Sequence, residues 1–114
     1  MSNISAEQTS ANQGDFFFAK FFDPATGKTI AHPVFVVGKN NDSNDSHDVI
    51  ICNCTSQPKR TDYDVLVQLK YPTLVRTNKL YTIQRGQLHF EINHNLDQTV
   101  ISTLLESVVK AIRQ

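Results

Sequence analysis

The sequence predicts a small α+β domain that is mainly β: an SH3-like β-barrel of six to seven short strands, closed by a C-terminal amphipathic helix. Short β-prone runs separated by turn residues follow one another from Phe16 to Ile92. From Leu96 onwards, apolar residues recur with the period of a helix. The chain has 114 residues, which is room for one domain with one core. So many short strands in so small a chain must curl strongly to bury their inner faces.

Aromatic and β-branched residues mark the first strands. Residues 16–22 (FFFAKFF) are strongly β-prone, and residues 33–37 (PVFVV) are continuously apolar, as is typical of a central strand buried on both faces. Residues 39–48 (KNNDSNDSHD) predict an exposed loop. Their acidic spacing is similar to that of a calcium loop. However, His47 stands where the turn needs Gly and Asn53 where a bidentate Glu is needed, so a calcium site is rejected.

Alternating and apolar runs predict the remaining strands. Residues 49–54 form a third strand, and residues 63–69 alternate as a fourth. Residues 73–76 and 79–83 form either two further short strands or one bent strand. Residues 88–92 alternate as well and predict the last strand.

The C-terminal segment predicts a helix with one apolar stripe that should face the sheet. Asp97 is the expected N-cap. Leu96 and Ile101 are placed to pack against each other as a hydrophobic staple. Lys110 and Arg113 lie in the last turn, where they favour the negative end of the helix dipole. The stripe comprises Leu96, Val100, Ile101, Leu104, Leu105, Val108, Val109 and Ile112.

The polar N-terminal residues predict a flexible tail at positions 1–14, followed by a domain at positions 15–114. No apolar run approaches the ~18 residues that span a bilayer. The first residues also lack the basic region and apolar stretch of a secretory signal. The expected location is therefore the cytoplasm. In that reducing compartment, Cys52 and Cys54 are expected to be buried free thiols.

The charge balance restricts how the protein can bind nucleic acid. Eleven basic and eleven acidic residues give a formal net charge of zero. A protein that coats nucleic acid non-specifically usually carries a basic excess, because each neutralised phosphate releases counterions. Any nucleic-acid site here must therefore be a local patch. We expect no metal and no cofactor, since a zinc site from His47, Cys52 and Cys54 would need a fourth ligand.

Four strings occur in the order and with the gaps of the MazF/PemK family of toxin–antitoxin ribonucleases. Residues 17–24 (FFAKFFDP) resemble its first strand and the following loop, and residues 31–37 (AHPVFVV) its Arg-Pro-Val-Leu-Val second strand. Residues 53–57 (NCTSQ) resemble the Ile-Thr-Ser end of its third strand. Residues 74–83 (LVRTNKLYTI) resemble its Val-Arg-x-Asp…Thr-Ile segment, which a terminal helix follows. The resemblance covers about residue 15 to the end.

The resemblance implies a metal-independent, sequence-selective endoribonuclease, the mRNA-cleaving toxin of a toxin–antitoxin pair. It also implies a homodimer that binds single-stranded RNA in a groove across its two-fold axis, and an antitoxin whose tail occupies that groove. In this chemistry, the 2′-hydroxyl of the RNA attacks the adjacent phosphate in line. One group takes the 2′ proton, another protonates the departing 5′ oxygen, and cationic donors stabilise the phosphorane.

Two of the family's catalytic positions match and two are altered. Thr55 and Arg76 match, whereas His32 replaces an Arg and Asn78 replaces an Asp. The resemblance implies that Arg76 stabilises the phosphorane and assists the leaving group, while Thr55 positions the phosphate. Asn78 cannot act as a base. Because an imidazole changes charge near neutral pH, His32 is the acid–base candidate; otherwise its presence means that activity is lost.

Four further residues are candidates for binding RNA. Lys59 and Arg60 directly follow Thr55 and are placed to hold phosphates, and Asn78 and Lys79 follow Arg76. Each residue type also has an ordinary role. An Arg in a β-prone segment is usually a solvated edge residue, and a Thr at the end of a strand usually satisfies a backbone group.

The alternative is a non-catalytic binding module on the same fold, or an inactive relative. Proteins of this shape also act by gripping a protein such as DNA gyrase, because a fold does not fix a function. The altered positions 32 and 78 favour this alternative. Growth arrest without fresh, motif-aligned RNA ends would support it.

Overall fold

A computed structural model describes residues 4–39 and 46–113. The helices are α1 (Ala6–Ser10) and α2 (Gln98–Ile112), and a 3₁₀ turn spans Arg85–Gln87. The strands are β1 (Phe16–Asp23), β2 (Lys28–Val36), β3 (Asp48–Thr55), β4 (Asp64–Gln68), β5 (Pro72–Gln84) and β6 (Leu88–Glu91).

The six strands form one antiparallel sheet in the order β4-β5-β3-β2-β1-β6. This sheet with its C-terminal helix confirms the predicted α+β fold. β4 and β6 lie at the two ends of the order, and no ladder between described residues joins them into a hydrogen-bonded barrel. Residues 73–76 and 79–83, predicted to be two short strands or one bent strand, belong to a single strand, β5.

Both faces of the sheet carry a cluster of buried side chains, because side chains alternate along each strand. The face beneath α2 buries Phe16, Phe35, Cys52, Cys54, Val75, Ile101, Leu104 and Val108. The opposite face buries Ala11, Phe17, Ala19, Val34, Val36, Ile51, Ile83 and Leu88. Residues 34–36 of β2 are therefore buried on both faces, as predicted for a central strand.

α2 begins at the predicted position, although its N-cap works differently from the prediction. Asp97 makes no side-chain capping bond; its carbonyl accepts from the backbone N–H of Val100 and of Ile101. The apolar stripe faces the sheet at its centre. At its end, Val109 is 43% exposed and Ile112 is 63% exposed, so the predicted stripe is not buried along its whole length.

The flexible tail predicted for residues 1–14 is wrong for residues 4–14; residues 1–3 lie outside the described residues. Ser5 and Gln8 form a reciprocal capping box that starts α1. The Glu7 carboxylate accepts from the backbone N–H of Glu91, which fastens α1 to β6.

The segment after α1 is fixed by Arg85 of the 3₁₀ turn. Its guanidinium donates to the carbonyls of Gln8, Thr9 and Ala11, and the Ala11 side chain is buried in the core. The polar composition of residues 4–14 does not predict this packing. The groups that make the contacts are mainly backbone carbonyls and one small apolar side chain, that of Ala11.

The cysteines are free, buried thiols, as predicted. Burial raises the pKa of the Cys52 thiol to about 12 and raises the pKa of Cys54 as well. The rejected calcium spacing at positions 42 and 44 lies outside the described residues.

Candidate active site

A long bulge in β5 organises the site. Four residues of β5, 76–79, stand opposite the single residue Asn53 of β3, between the pairs Cys52–Leu80 and Cys54–Val75. A bulge bends its strand, leaves residues unpaired and re-aims their side chains, and bulges are over-represented beside active sites. Three predicted site residues lie in this bulge: Arg76, Asn78 and Lys79.

Thr77 fixes the centre of the bulge. Its backbone N–H and its hydroxyl both donate to the Tyr63 carbonyl, at 3.0 and 2.6 Å. The hydroxyl also lies 2.6 Å from the Ser107 hydroxyl of α2. Thr77 therefore points towards the helix, and strand alternation turns the preceding residue, Arg76, to the opposite face.

Arg76 is not the solvated edge residue that its segment suggests. It pairs with Asp64 of β4, and its guanidinium nitrogen lies 3.9 Å from the Asp64 carboxylate. The two side chains are 13% and 1% exposed. The same carboxylate oxygen accepts the backbone N–H of Arg60 at 2.9 Å. Arg76 is thus a largely buried cation beside a buried anion.

Thr55 lies diagonally across from Arg76. Thr55 pairs with Leu74, and Leu74 shares its face of β5 with Arg76, two residues further on. Diagonal neighbours on one sheet face stand about 7–8 Å apart, within reach of a long side chain. The Thr55 hydroxyl accepts the backbone N–H of Gln57 at 3.0 Å, the ordinary role of a Thr at a strand end.

His32 reaches the same face from β2. Val34 pairs with Asn53 at the end of the β2–β3 ladder, and strand alternation puts His32 on the same face of β2 as Val34 and Thr55 on the same face of β3 as Asn53. The His32 ring is exposed and lies 6.0 Å from the Phe21 ring. β2, β3 and β5 are neighbours in the sheet, so His32, Thr55 and Arg76 lie on one face of three adjacent strands.

His32 and Thr55 also line a groove of about 580 Å³. Most of its wall is apolar and aromatic, from Phe18, Tyr71 and Phe90 among others, and Lys70 adds a cation. Arg76 does not line this groove, which therefore opens beside the Thr55 end of the site.

The β6 side of the groove is acidic. Glu91 lines it, and its carboxyl pKa is raised, first by desolvation and then by repulsion from Asp15 and Glu7. Lys70 stands at the other side, on the segment before β5. A polyanion that enters the groove is therefore favoured along the Lys70 side.

The remaining RNA-binding candidates lie outside the groove lining. Lys59 forms an exposed ion pair with Asp62 at 3.9 Å, which is worth little in water. Arg60 is exposed, and its backbone holds Asp64. Lys79 is exposed at the end of the bulge.

Two residues of this face were not expected from the sequence. Asp64 lies in an alternating run that predicts only a strand, and nothing local indicates that it pairs with Arg76. Asn53 faces the bulge, and its side-chain oxygen is buried without a hydrogen-bond partner among the described residues; so is that of Asn78. A polar residue within the apolar run 49–54 is the signal that marks Asn53.

No group of three His, Cys, Asp or Glu among residues 4–39 and 46–113 is placed to hold a metal.

Residues 12–112 match the family described as the PemK-like, MazF-like toxin of type II toxin–antitoxin systems. The chain belongs to this family. The match spans almost the whole chain and confirms the resemblance carried by the four strings. No curated protein sequence matches the toxin significantly.

Solved structures of other proteins have a fold similar to that of this toxin. An endoribonuclease in complex with its cognate antitoxin, from a mycobacterial species, has a TM-score of 0.72 at 14% identity and covers 90% of this chain and 95% of its own. Mycobacterium tuberculosis toxin MazF-mt6 gives 0.67 at 19%, with 85% and 94% covered. MazE–MazF from Deinococcus radiodurans gives 0.72 at 12%, with 98% of both covered.

Within the described part of the toxin, no helix has the length and apolar character needed to cross a bilayer.

Proposed function

We propose that this toxin is a metal-independent, sequence-selective endoribonuclease that cleaves single-stranded mRNA. The observation that carries the proposal is the register that puts His32, Thr55 and Arg76 on one face of three adjacent strands. Membership of the PemK/MazF-like family gives that arrangement its chemical meaning.

In the proposed reaction, the 2′ oxygen bonds to the adjacent phosphorus as the bond to the 5′ oxygen breaks. His32, exposed at the groove, takes the proton of the 2′-hydroxyl. The Arg76 guanidinium stabilises the charge that develops on the phosphorane and on the departing 5′ oxygen, which takes a proton from water. His32 then returns its proton to the solvent. Thr55 positions the phosphate between His32 and Arg76. The products are a 2′,3′-cyclic phosphate and a 5′-hydroxyl end.

The charges around the groove support one path for the RNA. Repulsion from Glu91 keeps phosphates away from the β6 side, so the backbone runs along the Lys70 side. Asn78 and Lys79 bind nucleotides beside Arg76. Lys59 and Arg60 contact phosphates further along the strand, since they lie outside the groove lining.

We propose that the toxin acts as a cytoplasmic homodimer and is neutralised by a small cognate antitoxin. The mycobacterial endoribonuclease and the Deinococcus MazF of similar fold are each described with an antitoxin partner. Several large apolar side chains are exposed and available for such contacts, among them Phe22, Leu66 and Ile112.

A second candidate function is a non-catalytic module that grips a protein. The observation that favours it is the burial of Arg76 against Asp64, which leaves only 13% of the arginine side chain exposed. Asn78, which cannot accept a proton as a base, favours it too.

The two candidates separate in a cleavage assay with purified toxin, total mRNA and EDTA. We expect new RNA ends at a recurring sequence motif for the wild type, and their loss for Thr55→Val and His32→Ala. Thr29→Val and His89→Ala are matched controls, since both residues are exposed and neither lines the groove. Growth arrest in cells without such ends would instead support the protein-gripping module. Cleavage that stops on chelation and returns with magnesium would refute the metal-independent mechanism.

A further inference from the structure

Asp64 carries a buried carboxylate that lies beside a largely buried arginine. It opens β4, it is only 3% exposed, and its oxygen faces the Arg76 guanidinium. A buried charge is costly unless it is paired and hydrogen-bonded. Arg76 supplies the counter-charge, and the backbone N–H of Arg60 supplies the hydrogen bond.

The turn before β4 is built to present this carboxylate. The backbone N–H of Asp64 donates to the Thr61 carbonyl at 3.1 Å, while the N–H of Arg60 donates to the side chain of Asp64 at 2.9 Å. The Thr61 hydroxyl accepts from the N–H of Tyr63 at 3.1 Å. The hydrogen bond from Arg60 thereby fixes the carboxylate within its own turn, and that turn is joined to the bulge through the Tyr63 carbonyl, which accepts from Thr77.

The bulge, by contrast, does not fix Arg76. The backbone of Arg76 pairs with Asp64 in the β4 ladder but has no partner in the ladder with β3, and the anchor at the centre of the bulge belongs to Thr77. A guanidinium carries several N–H donors on one planar group. The Asp64 carboxylate, 3.9 Å away and too far for a hydrogen bond, attracts one edge of that plane by its charge and leaves other N–H groups for a phosphate. Asn78, two residues further on, adds no charge.

We propose that Asp64 is the positioning residue of the site, and that its carboxylate holds the Arg76 guanidinium in the orientation that meets the RNA phosphate. This inference rests on the proposed ribonuclease function. Asp64 acts through Arg76 and does not touch the substrate, because its side chain is sealed from solvent.

The first test measures ion pairing without any RNA. Arg76→Ala leaves a space beside a bare carboxylate, and free guanidinium ion should bind there. At guanidinium concentrations well below those that unfold the domain, Arg76→Ala should gain melting temperature relative to the same concentration of sodium. Arg76→Ala/Asp64→Asn and the wild type should gain none. An equal response in all three proteins would overturn the proposal.

The second test separates positioning from folding by cleavage kinetics. Asp64→Asn keeps the shape and the acceptor for Arg60 but loses the charge, so kcat should fall about a hundredfold, the scale of a misplaced catalytic group, with KM little changed. Asp64→Glu should recover part of the loss. Asp62→Asn is the matched control, because Asp62 is a fully exposed neighbour. Guanidinium should restore cleavage to Arg76→Ala but not to the double variant.

The double variant of Asp64 and Arg76 tests whether the two residues act as one unit. Asp64→Asn added to Arg76→Ala should cause no further loss, because both changes remove the same function. Wild-type kcat in a folded Asp64→Asn protein, or losses that multiply in the double variant, would overturn the proposal. If the wild type never cleaves RNA, the ribonuclease function fails, and the guanidinium shift alone decides whether Asp64 holds a cation at position 76.

Discussion

Thr77→Val should destabilise the domain and loosen the bulge that carries the site. Valine keeps the shape of the side chain but loses the hydroxyl, which is fully buried between the Tyr63 carbonyl and the Ser107 hydroxyl. In the variant, the Tyr63 carbonyl still accepts the hydrogen bond from the backbone N–H of residue 77, whereas the Ser107 hydroxyl loses its hydrogen bond to the Thr77 hydroxyl.

The size of the loss follows from two hydrogen bonds of about 0.5–1.5 kcal/mol each, so Thr77→Val should cost about 1–3 kcal/mol. For a domain near 100 residues, each kcal/mol lowers the melting temperature by about 4–8 °C. Urea unfolding, with the midpoint and the slope fitted together, measures the free-energy change directly. Ser107→Ala completes a double-mutant cycle with Thr77→Val, and we expect the two losses to be less than additive.

Thr103→Val is the matched control for this variant. Thr103 is an exposed threonine of α2 whose hydroxyl donates to the Thr99 carbonyl, so its replacement should change stability by less than about 0.5 kcal/mol. In folded Thr77→Val protein, RNA cleavage should also fall, because Arg76 and Asn78 flank the lost anchor. Stability equal to that of the wild type, or full cleavage by a destabilised protein, would refute the role given to the bulge.

Two further predictions concern titrating groups. If His32 transfers the proton, the cleavage rate should bend with pH. His32→Ala should flatten the profile and slow cleavage by about a hundredfold or more, whereas His32→Arg should remove the bend and keep activity. The raised pKa of Glu91 means that the folded state favours its protonated form, so this contribution to stability is lost as pH rises. Glu91→Gln should therefore raise the melting temperature at about pH 7 but not at about pH 3. The opposite order would contradict the desolvation of Glu91 and its repulsion from Asp15 and Glu7.

Most of the fold was predictable, because each element carries a local signal. Alternation located the strands, and the 3.6-residue stripe located α2. The contacts of residues 4–14 were not predictable. They depend on Arg85 reaching backbone carbonyls more than seventy residues away, which composition does not encode.

The site was only partly predictable, for a related reason. His32, Thr55 and Arg76 follow from the resemblance, and their shared face follows from strand register. The bulge could not be foreseen, since it needs the pairing of β3 with β5 on both sides of Asn53. Asp64 needs the pairing of β4 with β5 as well. When the role of a residue depends on such long-range pairing, that role cannot be recognised from a single sequence.

The chemistry of cleavage is tested most directly with an RNA that lacks one 2′-hydroxyl. Once the cut site is mapped, a short RNA spanning it is compared with a copy that is 2′-deoxy only at the nucleotide 5′ to the cut, and with a copy that is deoxy one position away. In EDTA, the all-ribose and displaced-deoxy RNAs should be cut, leaving a 2′,3′-cyclic phosphate and a 5′-hydroxyl, and the copy lacking the attacking hydroxyl should stay intact. Cleavage of that copy, or a dependence on added metal, would contradict the mechanism.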